Sequence, residues 1–283
     1  MSSSENPFLG QQPPTDGSAS IEPAAIQREL PPEAIDAGIV ERFPVWGFFD
    51  LGLVLAVLAG AMVASQVIAL LVATTLPAFH GLKLQDVATS PLVALSSMAA
   101  GYFLTLLFVY RMLASHYRVG FFDGMHWRWP AKWPIYLASG VVLSIAVQGA
   151  SAFLPMPKDL PIDAFFKNAA GAWAMALFGT FVAPFAEEVL FRGLLFPVLQ
   201  RRLGLLLSVL LTGGTFALVH AGQLGHAWAP VLMLLIVGVA LTLIRARAHS
   251  LAASVLVHTA YNATIFAIVA SQTHWFTQMN RLH

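Results

Sequence analysis

The chain contains no cysteine. Disulfides, thiolate zinc sites and a cysteine nucleophile are therefore excluded. Charge is nearly as scarce: Asp, Glu, Lys and Arg make up 10% of the 283 residues, against about one quarter in a soluble domain. No basic run marks a nucleic-acid partner; the cations sit in short connecting segments, where they report topology. The opening stretch lacks the basic start and short apolar core of a cleavable signal peptide. No internal repeat is evident, so a transporter built from inverted halves finds little support.

What is abundant is apolar surface, 58% of the residues. A chain this greasy belongs in a bilayer, where a spanning helix needs roughly 20 apolar residues. Apolar runs cover about 47–77, 92–114, 133–154, 171–200, 203–221, 228–244 and 250–271. The fold class that follows is all-α: a polytopic transmembrane helical bundle of seven spans, or eight if Pro184 breaks the long fourth run. Residues 1–44 read as a disordered, polar tail rich in Pro, Ser and Gln, and residues 45–275 as the membrane domain. The tail carries seven acids against Arg28 and Arg42, a balance of −5, which leaves +6 for the rest. Arg111, Arg118, Arg128 and Lys132, then Arg201 and Arg202, then Arg245 and Arg247 follow alternate runs. The bias of positive charge toward the inner side makes that face and the N-terminus cytoplasmic, as in a bacterial inner membrane.

Three ionisable patches interrupt the apolar runs: Glu187-Glu188-x-x-x-Arg192, Phe216-x-x-x-His220 and His258-x-x-x-Asn262. Ionisable groups within a membrane segment are costly, and they generally face a protein interior or a wet cavity. Glu188 and Arg192 stand four apart and stack on one helical face as a natural ion pair. Glu187 points about 100° away and has no intrahelical partner. Desolvation brings a carboxylate toward the range in which it can act as a general base or acid near neutrality. Phe216 with His220, and His258 with Asn262, each share a face one turn apart. An imidazole and an amide together can stabilise an oxyanion on a peptide carbonyl. Taken singly, each patch has a structural alternative: an ion pair that glues helices, a hydrogen-bonded core histidine, an interhelical hydrogen bond. Gly213-Gly214 allow a close helix approach or a local bend, and His226 falls in a loop.

At these residues the chain resembles the CPBP family of intramembrane peptidases, which includes the type II CAAX prenyl endopeptidases and the Abi-type bacteriocin-processing or immunity proteins. The resemblance covers about residues 170–265. It implies an intramembrane hydrolase in which Glu187 and His220 activate water while His258 and Asn262 stabilise the oxyanion. Glu188, Arg192 and Phe216 support that site. It implies as partners the lipid bilayer and a membrane-associated or lipidated protein or peptide substrate. No cofactor is favoured. The residues also permit zinc on Glu187, His220 and His258 with water in the open position, but an amide at Asn262 suits an oxyanion donor better than a zinc ligand. The competing reading is a non-catalytic membrane scaffold, or an immunity-type binding protein, that uses the same polar cavity.

Overall fold

A computed structural model describes residues 43–278, and their regular structure is entirely helical. The polar tail read from the sequence lies outside the described residues as far as position 42. Among the described residues six helices are long and apolar enough to cross a bilayer: α1 (Phe48–Thr74), α2 (Pro91–Tyr117), α3 (Trp133–Ser151), α4 (Ala169–Val219), α5 (Trp228–Ala248) and α6 (Leu251–Gln272). Their ends follow local rules. Pro91 opens α2 at a position whose N–H would lack a helical partner anyway. The Asn168 side chain caps α4 by accepting from Gly171 N (2.8 Å), and Ser250 caps α6 by accepting from Ala253 N (3.2 Å). Large apolar side chains also cover the outside. Leu55, Val63, Ile68 and Leu71 of α1 are all more than half exposed, a surface that suits lipid and not water.

The count of six differs from the seven or eight runs in the sequence because of α4. It is 51 residues long, roughly 76 Å if straight and more than twice the ~30 Å apolar core of a bilayer. The fourth and fifth apolar runs are its two arms. They meet at Gly204, whose backbone (φ 73°, ψ 178°) leaves the helical region for one that only glycine adopts readily. Pro184 does not break the helix, although its ring removes a donor. Five-residue-spaced π-helical segments at Phe178–Val182 and Val189–Leu195 flank the short α-helical piece Ala183–Glu188, so the chain takes up the misfit by widening.

α1 packs on α2, α3 lies against α6, and the second arm of α4 crosses α5. That last crossing is glycine on glycine: a Cβ built on Gly238 would stand 2.8 Å from the Gly213 carbonyl oxygen. Close backbone approach through small residues is how membrane helices gain packing without a hydrophobic driving force. The segments carrying the basic clusters gather at one end of the bundle. Arg201 donates to the Pro44 carbonyl (2.8 Å), Phe43 stacks on His126 (3.8 Å between ring centres), Leu251 N donates to the His126 carbonyl (3.1 Å), and the Ser250 hydroxyl donates to the Arg128 carbonyl.

Candidate active site

The α-helical piece between the two π segments presents its adjacent glutamates to different surroundings. Glu188 is fully buried. Its Oε1 accepts from Arg192 Nη1 and from His258 Nδ1, each at 2.9 Å. Arg192, also fully buried, spends its other donors on α5: Nε on the Thr242 hydroxyl (3.2 Å) and Nη2 on the Gly238 carbonyl (2.9 Å). Its guanidinium lies 4.6 Å from the centre of the Phe216 ring, a cation–π contact that strengthens out of water. One carboxylate, one guanidinium and one imidazole thus lock α4, α5 and α6 together. A buried ion pair tolerates desolvation when its remaining donors are satisfied in this way.

Glu187 faces elsewhere. Its Oε1 lies 3.6 Å from His220 Nε2 and its Oε2 lies 3.8 Å from His258 Nε2. His220 donates Nδ1–H to the Phe216 carbonyl (2.7 Å), and His258 donates Nδ1–H to Glu188. Both histidines therefore turn Nε2 toward the same carboxylate. A carboxylate oxygen and two Nε2 lone pairs are all acceptors, so this trio is stable only when it holds a proton or a water among its members. The Phe216 ring packs near both imidazoles, 4.8 Å from His220 and 5.8 Å from His258, which explains phenylalanine one turn before the histidine. Asn262 donates from Nδ2 to the Gly179 carbonyl (2.6 Å). That carbonyl lies five residues before Pro184, in the π segment where proline returns no N–H. The amide's second N–H remains for the cavity that Asn262 lines.

Two apolar chambers meet at this point. One, of about 320 Å³, is walled by α2, α4, α5, α6 and the turns around Phe165 and Leu224. The other, of about 340 Å³, lies between α1 and both arms of α4. They share Tyr102, Glu187, His220 and Gln223. The sequence-derived residues Glu187, His220, His258 and Asn262 all line the first chamber. Glu188, Arg192 and Phe216 stand around them, as support. Tyr102 and Gln223 were missed. The Tyr102 hydroxyl interacts with Glu187, but it comes from α2, outside the motif-bearing half, and one tyrosine in an apolar run carries no distinguishing pattern. Gln223 follows His220 by three residues and lies between the apolar runs 203–221 and 228–244, where nothing in the sequence sets it apart. Thr242 of α5 was likewise invisible among apolar neighbours. Among the described residues no group of three or more His, Asp or Glu side chains is arranged to hold one ion.

Fold and site together define a polytopic helical membrane protein whose polar centre, Glu187 with two imidazoles, is buried between two apolar chambers. Residues 169–264 match the family model described as Type II CAAX prenyl endopeptidase Rce1-like. The matched segment runs from the first residue of α4 into α6 and contains all three motifs, and the match supports the resemblance to the CPBP family. No curated protein and no solved structure gives a significant match to the chain.

Proposed function

We propose that the protein is an intramembrane endopeptidase that cleaves a peptide bond near a membrane-associated segment of its substrate, of the CAAX-processing kind. The observation that carries the reading is the pair of Nε2 atoms within 4 Å of the Glu187 carboxylate, at the junction of two apolar chambers. Water held between Glu187 and His220 loses its proton to the carboxylate as its oxygen attacks the peptide carbonyl. The oxyanion is met by donors from His258 and Asn262. Since His258 Nδ1–H is spent on Glu188, its Nε2 donates only when the ring carries both protons, with Glu187 and Glu188 flanking it. Glu187 then returns the proton to the leaving amine, which balances the hydrolysis. The chambers on either side suit substrates that are apolar on both sides of the bond, and the bilayer supplies them. The basic end of the bundle is cytoplasmic in this reading, and seven crossings result if each arm of α4 is one.

The test uses purified protein in lipid nanodiscs and a farnesylated CAAX reporter peptide, with a parallel comparison of membrane proteomes for a lost juxtamembrane cleavage. Glu187→Gln will lower cleavage by about 10²–10⁴-fold with an unchanged melting curve, and wild-type turnover will survive a zinc chelator. Full activity in Glu187→Gln overturns the mechanism. A cellular phenotype that persists unchanged in that variant identifies a binding protein instead.

A further inference from the structure

Arg245 lies outside every motif, yet among the described Lys and Arg residues it is the most deeply placed after Arg192, at 3% exposure. Gly238, Thr242 and Arg245 follow one another at i, i+4 and i+7 on α5, which places them on one face. The first two are already engaged by Arg192, so the face that carries Arg245 is turned toward the Glu188–Arg192 pair. Two buried polar atoms here have no hydrogen-bond partner among the described residues: Glu188 Oε2 and Arg245 Nε. The Ser254 hydroxyl, which also faces Glu188, donates to the Leu251 carbonyl (3.0 Å). Glu188 is the carboxylate that acts on Arg245. Buried polar groups in native proteins are satisfied by protein or by ordered water, and an unpaired one signals a role.

We propose that Arg245 is a positioning residue for the reaction: a second cation on Glu188 that acts from the α5 side on the oxygen Arg192 and His258 leave free. Arg192 by direct contact, and Arg245 through its charge from the α5 side, then hold Glu188 as the ionised acceptor. The ionised acceptor fixes His258 Nδ1–H on Glu188 and so aims Nε2 at Glu187. Arg245 touches neither substrate nor the attacking water; it works through the Glu188–His258 bond. The catalytic consequence rests on the peptidase reading, but the positioning itself does not.

The readout is therefore the histidine, followed by nuclear magnetic resonance in nanodiscs with ¹⁵N-labelled histidine, the His258 signals being assigned by their loss in His258→Gln. Arg245→Gln will shift the His258 Nδ1–H signal and speed its exchange with water at least about tenfold, since the bond to Glu188 is weakened. Arg245→Lys will restore the signal, because the charge returns. On the farnesylated reporter, Arg245→Gln will lower kcat about tenfold at unchanged KM, and Arg245→Lys will lie within about threefold of wild type. An unchanged His258 signal in Arg245→Gln overturns the proposal. So does an Arg245→Lys variant as impaired as Arg245→Gln, which assigns Arg245 to packing alone. Should Arg245→Gln fail to fold, Arg245→Lys decides: a displaced His258 signal there rejects the proposal, and a retained one with near-normal kcat sustains it. Shifted His258 signals in Arg245→Gln, with no cleavage of the reporter by the wild type, leave the positioning role standing and reject the peptidase reading.

Discussion

Two adjacent glutamates do different work because a helix turns them apart. Glu188 is fully buried and pinned by Arg192 and His258 at 2.9 Å each; Glu187 borders the chambers and meets the Tyr102 hydroxyl and the longer contacts of two Nε2 atoms. The cost of disturbing them differs accordingly. Arg192→Met strands an ionised Glu188 and two carbonyl or hydroxyl acceptors on α5, a loss of about 3–5 kcal/mol by the usual measure of a broken buried pair. Combining it with Glu188→Leu removes the stranded charge, so thermal unfolding in detergent will show the double variant more stable than Arg192→Met alone. Cleavage will not return, since His258 Nδ1 has then lost its acceptor. The Glu188–Arg192 pairing was legible at the sequence level because i, i+4 geometry is local. That His258 would join the same carboxylate was not, since 70 residues separate them.

Among the elements, α4 is the one that local rules describe least well. A proline inside an apolar run predicts a kink, yet the backbone passes Pro184 without leaving the helical region, and two π segments take up the misfit. The break occurs at Gly204, where the residue type permits the conformation. Gly213 and Gly238 show the opposite use of glycine, as the point where the second arm of α4 meets α5. The Gly213-Gly214 pair was read as either a bend or a close approach; Gly213 is the approach, and a Cβ on Gly214 would meet nothing. Gly238→Val will force the two helices apart and withdraw the carbonyl that holds Arg192. Overpacking of this kind costs about 1–3 kcal/mol, and the variant will melt earlier and cleave the reporter more slowly. Gly214→Ala will match wild type in both measurements.

At the scale of the whole molecule, one end of the bundle ties the segment ahead of α1, the α2–α3 connection and the α5–α6 junction together, and His126 lies at their meeting point. Burial, aided by the charges of Arg245, Arg128 and His249, pushes its imidazole down to about 4. The folded protein therefore prefers neutral His126, while the unfolded chain takes up a proton near the ordinary histidine value of 6.5. Stability from this group is complete above about pH 6.5 and is lost as pH falls toward 4. Melting curves between pH 7.5 and 5 will show that decline, and His126→Asn, which suits the residue's left-handed backbone (φ 51°), will flatten it. The membrane class, the apolar runs, the three motifs and the stretch of about 170–265 that matches the family domain over 169–264 were all readable in the chain, because hydropathy and helical spacing depend on near neighbours and on the cost of charge in lipid. Which nitrogen of each histidine meets Glu187, that Tyr102, Thr242 and Arg245 surround the same centre, and that two chambers join there depend on how distant helices cross. Those crossings are set by packing between segments scores of residues apart, which no local pattern encodes.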